Sequence, residues 1–207
     1  MAADQRVKIA LLGSGGTGKT ALLARYQTNE FDPLGVGRHR EEFDPMSRIN
    51  LEVEQRRFVK KEGGTELLIV DTVGTSDFGR LRYEQLADVD VFLLCYRVDR
   101  IDSFISISQQ WHPNAIHYSK FDTQHERLHE PQRNQSRFIL VGLKSDLEPS
   151  PMITPEMIAK IMFKGQFSAA LTCSAKTGEG VHEIFLAALK ASHEPLPPKP
   201  HSTCNLL

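Results

Sequence analysis

The sequence predicts an α/β fold: a doubly wound, mostly parallel six-stranded sheet with helices on both faces. Three observations predict it. Short apolar runs alternate with helix-like segments, the pattern of strands joined by helical crossovers. Those runs are apolar almost throughout instead of alternating, as strands buried on both faces must be. Several of them end in glycine- or carboxylate-bearing turns, at the strand termini where α/β proteins gather their ligands.

Taken in order, strands are expected at Val7–Leu12, Leu67–Asp71, Val89–Tyr96, Phe138–Val141 and Ala169–Cys173. A further strand around Ile49–Val59 is expected to pair antiparallel with Leu67–Asp71, turning at Glu62-Gly63-Gly64-Thr65. Helices fill the gaps. One starts at Lys19, and another opens with Thr154-Pro155-Glu156, a capping Thr followed by Pro at the first helical position. The last runs from about Gly180 to Ala191, where Val181, Ile184, Phe185, Ala188 and Leu189 share one face. The proline-rich stretch Glu194–Pro200 cannot continue a helix and reads as extended. The expected organisation is therefore one domain over 1–191 and a tail over 192–207.

Two polar stretches read as loop insertions, Asp32–Glu42 and Ser119–Arg137; the second is long and nearly free of apolar residues, so it is expected to be disordered. His112, His117, His125 and His129 match no common ligand spacing, and a solvated polar loop explains them better than a metal cluster.

Composition bounds the function. The 207 residues are 40% hydrophobic and 25% charged, ordinary for a globular protein. A net charge of −1 gives no basic footprint, so nucleic acid is not the expected partner. Val7–Leu12 is only strand-length, no signal peptide is expected, and no run reaches the roughly 18 apolar residues of a membrane span. Cys95, Cys173 and Cys204 are far apart, which suits a reducing compartment. A cytoplasmic location is expected.

Gly13-Ser14-Gly15-Gly16-Thr17-Gly18-Lys19-Thr20 fits G-x-x-x-x-G-K-[ST] between a strand and a helix. Glycines let the backbone curl so that successive N–H groups face phosphate oxygens, and the helix start, including Ala21, adds partial positive charge. Lys19 is expected to reach the β- and γ-phosphates, and the Thr20 hydroxyl to coordinate Mg²⁺. A glycine-rich turn fits by accident in on the order of one chain per hundred of this size, before the strand–loop–helix context is counted. Asp71-Thr72-Val73-Gly74 fits D-x-x-G, with Asp71 holding Mg²⁺ through water and the Gly74 amide facing the γ-phosphate. Leu143-Lys144-Ser145-Asp146 resembles the N/T-K-x-D guanine motif. The Asp146 carboxylate can accept two hydrogen bonds from guanine N1 and N2, which adenine cannot offer, while the Lys144 stem lies over the base. Ser174-Ala175-Lys176 matches the S-A-K loop, whose amide meets guanine O6. Each motif is weak alone, but four in order at strand ends are specific.

These motifs, spanning Val7 to Ala191, resemble those of Ras-superfamily small GTPases. Asp77-Phe78-Gly79-Arg80-Leu81-Arg82 is similar to the D-Y-D-R-L-R of the Rho branch, as are Val91-Phe92-Leu93-Leu94-Cys95-Tyr96 and Ser103-Phe104 followed by Trp111-His112-Pro113. Phe31 lies where the family puts an aromatic edge against guanine. The helical insert of Rho proteins is missing, because only Leu147–Pro151 separates Asp146 from the next helix. The resemblance implies a GTP/GDP-binding switch in Rho-type cytoskeletal pathways. Its switch I lies near Phe43–Ile49 and its switch II near Gly74–Tyr83. Effectors, an exchange factor, a GTPase-activating protein and a dissociation inhibitor are the implied partners of a monomer.

Three departures qualify the activity. Thr75 stands where the family's water-orienting Gln follows D-x-x-G. Asp44-Pro45 leads into Met46 instead of the family's Mg²⁺-binding Thr, so Met46 can offer only its backbone, with the Ser47 hydroxyl one residue late. Leu143 replaces the Asn or Thr of the guanine motif. Slow intrinsic hydrolysis is expected, with Lys19, Gly74 and Thr75 as the catalytic positions. Cys204-Asn205-Leu206-Leu207 reads as C-a-a-X, and a terminal Leu favours geranylgeranylation at Cys204, hence reversible attachment to the cytoplasmic face of membranes. The rival readings are a GTP-loaded effector-binding module that does not hydrolyse, and a P-loop nucleotide kinase, against which Asp71–Gly74 and Ser174–Lys176 argue.

Overall fold

In a computed structural model that describes residues 6–31, 56–62, 64–72, 86–119 and 136–194, six strands form one sheet in the order β2-β3-β1-β4-β5-β6. They are β1 (Arg6–Leu12), β2 (Arg56–Glu62), β3 (Thr65–Asp71), β4 (Val91–Arg97), β5 (Arg137–Leu143) and β6 (Ala169–Cys173). All pair in parallel except β2, which runs antiparallel to β3 with Glu62 opposite Thr65 across the expected turn. This is the predicted doubly wound fold.

The apolar strands are buried on both faces because side chains alternate across the sheet. Val7, Ile9 and Leu11 of β1 join Leu22 and Leu23 of α1 (Lys19–Thr28) and Ile184 and Phe185 of α5 (Val181–His193) in one layer. Ala10 and Leu12 join the opposite layer, with Phe92, Leu94, Phe104, Ile107 and Trp111. Met157 and Ile161 of α4 (Pro155–Gly165) pack against this second layer. Thr154 caps α4 as expected, its hydroxyl accepting from the Met157 amide at 3.3 Å.

Strand limits differ from expectation for local reasons. β4 starts at Val91, and the Val89 carbonyl just before it accepts from the Ser136 hydroxyl at 2.6 Å. β5 extends to Arg137, which is buried and whose guanidinium donates to the Glu194 carbonyl. The polar stretch read as a loop from Ser119 thus begins in a helix and ends in a strand. β2 begins at Arg56; the earlier part of the expected strand, the two insertions at 32–42 and 120–135, and the tail from 195 lie outside the described residues.

One element was not drawn from the sequence. A helical run covers α2 (Ile101–Ser106), a π turn (Ile107–Trp111) and α3 (His112–Ser119). Pro113 explains why it is not one regular helix. Proline has no N–H for the turn before it, and its ring would meet the Gln109 carbonyl of an α-helix; the wider π turn relieves both conflicts.

β1 is flanked by β3 on one side and β4 on the other, so successive chain segments leave it in opposite directions. Such a switch point opens a crevice at the carboxyl end of the strand. The loop 13–18 follows β1 directly into that crevice.

Candidate functional site

The loop between β1 and α1 is shaped by two glycines. A Cβ on Gly13 would stand 2.2 Å from the Cys95 carbonyl oxygen, so the loop lies directly on the end of β4. Gly18 has φ +109°, a conformation that strains any other residue, and caps α1, its carbonyl accepting from the Leu22 amide at 2.9 Å. The first turn of α1, including Thr20 and Ala21, contains no acidic residue to compete for an anion at its amides. Gly15 faces open space, with nothing within 4 Å of an added Cβ.

Lys19 is buried, and its ammonium donates to the carbonyls of Gly13 at 2.6 Å and Ser14 at 3.0 Å. Thr17 donates to the same Ser14 carbonyl at 2.9 Å. The lysine is thereby curled over its own loop, at the mouth of the crevice. The Thr20 hydroxyl donates to Asp71 Oδ2 at 2.7 Å, which joins the start of α1 to the end of β3. β3 is itself tied to β1 there: Leu11 pairs with Asp71, and Thr72 donates to the Leu11 carbonyl at 2.6 Å. A hydroxyl and a carboxylate at this spacing form a hard oxygen donor pair. That set fits Mg²⁺, which takes one or two protein oxygens and completes its shell with water and phosphate. No cluster of three or more His, Cys, Asp or Glu suited to a metal occurs among the described residues.

A second group of residues gathers at the carboxyl ends of β5 and β6. Ser174, fully buried, donates to Asp146 Oδ1 at 2.6 Å and accepts from the Thr177 amide at 3.2 Å. It fixes the carboxylate plane from behind. Lys176, at the exposed rim, lies 3.8 Å from Asp146 Oδ2, while Ala175 bridges Ser174 and Lys176 in the same turn. Lys144 sits at φ +63°, unusual for a non-glycine residue, and its Cε comes within 3.6 Å of an added Cβ on Gly18. Its stem therefore spans from the Asp146 segment to the phosphate-type loop. Burial, aided by nearby Arg97, pushes the Lys144 ammonium below its ordinary pKa, against the pull of Asp99 and Asp146.

Leu143 behaves differently from its neighbours. Its side chain is 2% exposed and belongs to the core, touching the site only from beneath, 3.8 Å from an added Cβ on Gly18. Phe31 follows the end of α1 and is 39% exposed. Gly74, Thr75, Met46, Ser47 and Cys204 lie outside the described residues, as do both expected switch segments. His125 and His129 lie outside them too; His117 is exposed and His112 packs against Phe138 and Phe167.

The structure adds residues that the sequence reading did not place. Cys95 underlies Gly13, and burial drives its thiol pKa far up although Lys19 pulls the other way. Trp111 donates its indole N–H to the Ser14 hydroxyl at 3.1 Å. The lone tryptophan of the chain was the available signal, but its reach to position 14 is set by the π turn. A separate cavity of about 410 Å³, lined by Phe104, Ile107, His112, Ile161 and Phe167 among others, contains none of the predicted site residues.

Comparison with known proteins covers this whole region. The Ras family model matches residues 8–194. GTP-binding protein Rho1 of Kluyveromyces lactis is 31% identical over 202 residues, spanning 92% of this chain and 85% of its own length.

Proposed function

This chain belongs to the Ras superfamily of small GTPases as a Rho-like member, and from that premise we propose that it is a Mg²⁺-dependent GTP/GDP switch with slow intrinsic hydrolysis. The observation that carries the reading is the contact of Thr20 with Asp71 at 2.7 Å, beside Lys19, at the switch point of the sheet. Thr20 and Asp71, with the Met46 backbone or Ser47 as a further oxygen source, would hold Mg²⁺, which would supply charge neutralisation at the β- and γ-phosphates. The amides from Gly13 to Ala21 cradle the phosphate oxygens, and Lys19 exchanges its loop carbonyls for the β- and γ-oxygens. Asp146, held by Ser174, accepts from guanine N1 and N2. Lys144 and Phe31 flank the base, and the Ala175 amide with the Ser174–Lys176 turn meets its O6.

Hydrolysis asks little of the protein beyond placing the attacking water and stabilising charge. A Gln amide can accept from that water and donate to a γ-oxygen together; the shorter Thr75 hydroxyl cannot span both. Met46 removes a switch I hydroxyl as well. Single-turnover hydrolysis of preloaded GTP should therefore be slow in the native chain and faster in Thr75→Gln, and faster again when Met46→Thr is added. A native chain already as fast as both variants would remove the impaired-switch reading. The same substitutions support a second reading, a GTP-loaded effector-binding module; GTP alone co-purifying with the protein favours it, and mixed GTP and GDP disfavours it.

In the cell, the reading places a 1–191 domain on the cytoplasmic face of membranes through a lipid on Cys204 in the 192–207 tail. It signals in Rho-type cytoskeletal pathways as a monomer through effectors. An exchange factor, a GTPase-activating protein that can use the open space at Gly15, and a dissociation inhibitor regulate it.

A further inference from the structure

The loop 13–18 is fastened sideways as well as from below. Trp111 Nε1 donates to Ser14 Oγ at 3.1 Å, Ser14 Oγ lies 2.9 Å from Ser106 Oγ, and Ser106 Oγ donates to the Ser103 carbonyl at 2.7 Å. Proton counting fixes the direction. Ser106 has one hydroxyl proton and spends it on Ser103, so the proton between the two serines belongs to Ser14. The chain thus runs from the Trp111 N–H through the Ser14 and Ser106 hydroxyls to a carbonyl, each donor used once. Linked hydrogen bonds polarise one another in this half-buried setting, and Trp111, 1% exposed, is anchored in the core at its far end.

The π turn makes this arrangement possible. In an α-helix, at about 100° per residue, positions five apart point roughly 140° away from each other. A π turn closes its hydrogen bonds on the fifth residue and so swings positions five apart towards one face. Ser106 caps the π turn Ile107–Trp111 and Trp111, five residues on, ends it, and both reach Ser14. On the loop side, the Ser14 carbonyl is the acceptor for both Lys19 and Thr17. Ser14 is therefore gripped by its side chain from the helix while its backbone sets the lysine.

We propose that Trp111 and Ser106 are positioning residues for the phosphate loop: acting through Ser14, they hold it in its nucleotide-receiving shape and make nucleotide retention depend on the π turn. The inference rests on the reading of 13–20 as the phosphate-binding loop and goes beyond it by assigning the loop's rigidity to a helix outside the nucleotide-binding motifs. It also makes Trp111, the chain's one tryptophan, an internal reporter of the loop.

The test uses the full-length chain loaded with a fluorescent GDP analogue. Trp111→Phe keeps an aromatic ring in the core while removing the five-membered ring that carries the N–H; Ser106→Ala removes only a hydroxyl. Each should speed release by about 2- to 12-fold, the effect of one ordinary hydrogen bond. Ser14→Ala should do the same, and Trp111→Phe added to Ser14→Ala should give no further acceleration, because the indole acts through that hydroxyl. A merely structural role for Trp111 predicts additive effects instead. In the native protein, tryptophan emission should shift when GDP is removed, and Ser14→Ala should abolish the shift. Native retention of GDP with unchanged release from both Trp111→Phe and Ser106→Ala overturns the proposal alone. A native chain that retains no GDP overturns the phosphate-loop reading, and this inference falls with it.

Discussion

Leu143 shows how a single residue can serve the core and depart from a binding motif at once. Its side chain is sealed in the layer formed with α1 and α5, so replacing it by a polar residue carries a packing cost. Yet the hydrogen bonds an Asn could make from this place, joining the base-side turn to the loop at Gly18, are beyond a leucine. Losing one or two such bonds weakens retention by roughly 1–3 kcal/mol, about 5- to 150-fold. Leu143→Asn should consequently hold a fluorescent GDP analogue longer even as its melting temperature drops. Equal or shorter retention would count against this account. Asp146→Ala should in turn lose preference for GTP over ATP in competition binding, since Ser174 presents that carboxylate and no other; an unchanged preference would refute its role. The sequence exposed Asp146, Lys144 and Ser174 because their chemistry is written in residue type and spacing. It did not expose that Leu143 is a core residue, since burial at a strand end depends on which helix lies beneath.

The helical run 101–119 marks the limit of legibility among the elements. Continuous apolar runs revealed the strands, and Thr154-Pro155 revealed the start of α4, because both signals are local. Pro113 disfavours a regular helix through this stretch, and tertiary packing of Phe104, Ile107, Trp111 and Ala115 in one layer overrides it. That packing also explains His112, at the junction of α3 with α4. It lies between Phe138 and Phe167, beside the cavity whose wall carries Lys160 and Lys164. Burial lowers its pKa from the ordinary 6.5, opposed by a hydrogen bond to the Gly165 backbone. The sign follows. Above the ordinary value the ring is neutral folded and unfolded and adds no slope; below it the unfolded chain binds the proton first, so stability falls with pH until the folded ring also protonates. Between about pH 7 and about pH 5, the urea midpoint of the native chain should fall more steeply than that of His112→Gln. Parallel curves would mean that His112 is not held neutral at this junction.

For the molecule as a whole, the sheet and its two layers form a frame, and the expected membrane contact is left to the tail. After Lys190 the only Lys or Arg is Lys199, and no cysteine neighbours Cys204. One prenyl chain gives marginal, reversible anchoring unless a second signal supports it. Fractionation of cells expressing the full chain should show a large soluble pool. That pool should grow further in Cys204→Ser, whereas nearly complete membrane recovery, or an identical distribution for the variant, would contradict this. The topology carries one more consequence, in the order of the chain's synthesis. β1, the strand that bears the phosphate-type loop, pairs Arg6 with Glu66 and Ile9 with Val91. Its two neighbours are therefore made some sixty and eighty residues after it. At roughly 5–20 residues per second, translation leaves Val7–Leu12 without its sheet partners for about 3–16 s. Among the described strands the earliest made is the one that must wait, so a nascent-chain chaperone should bind this strand, which bears the phosphate-type loop, before its partners emerge.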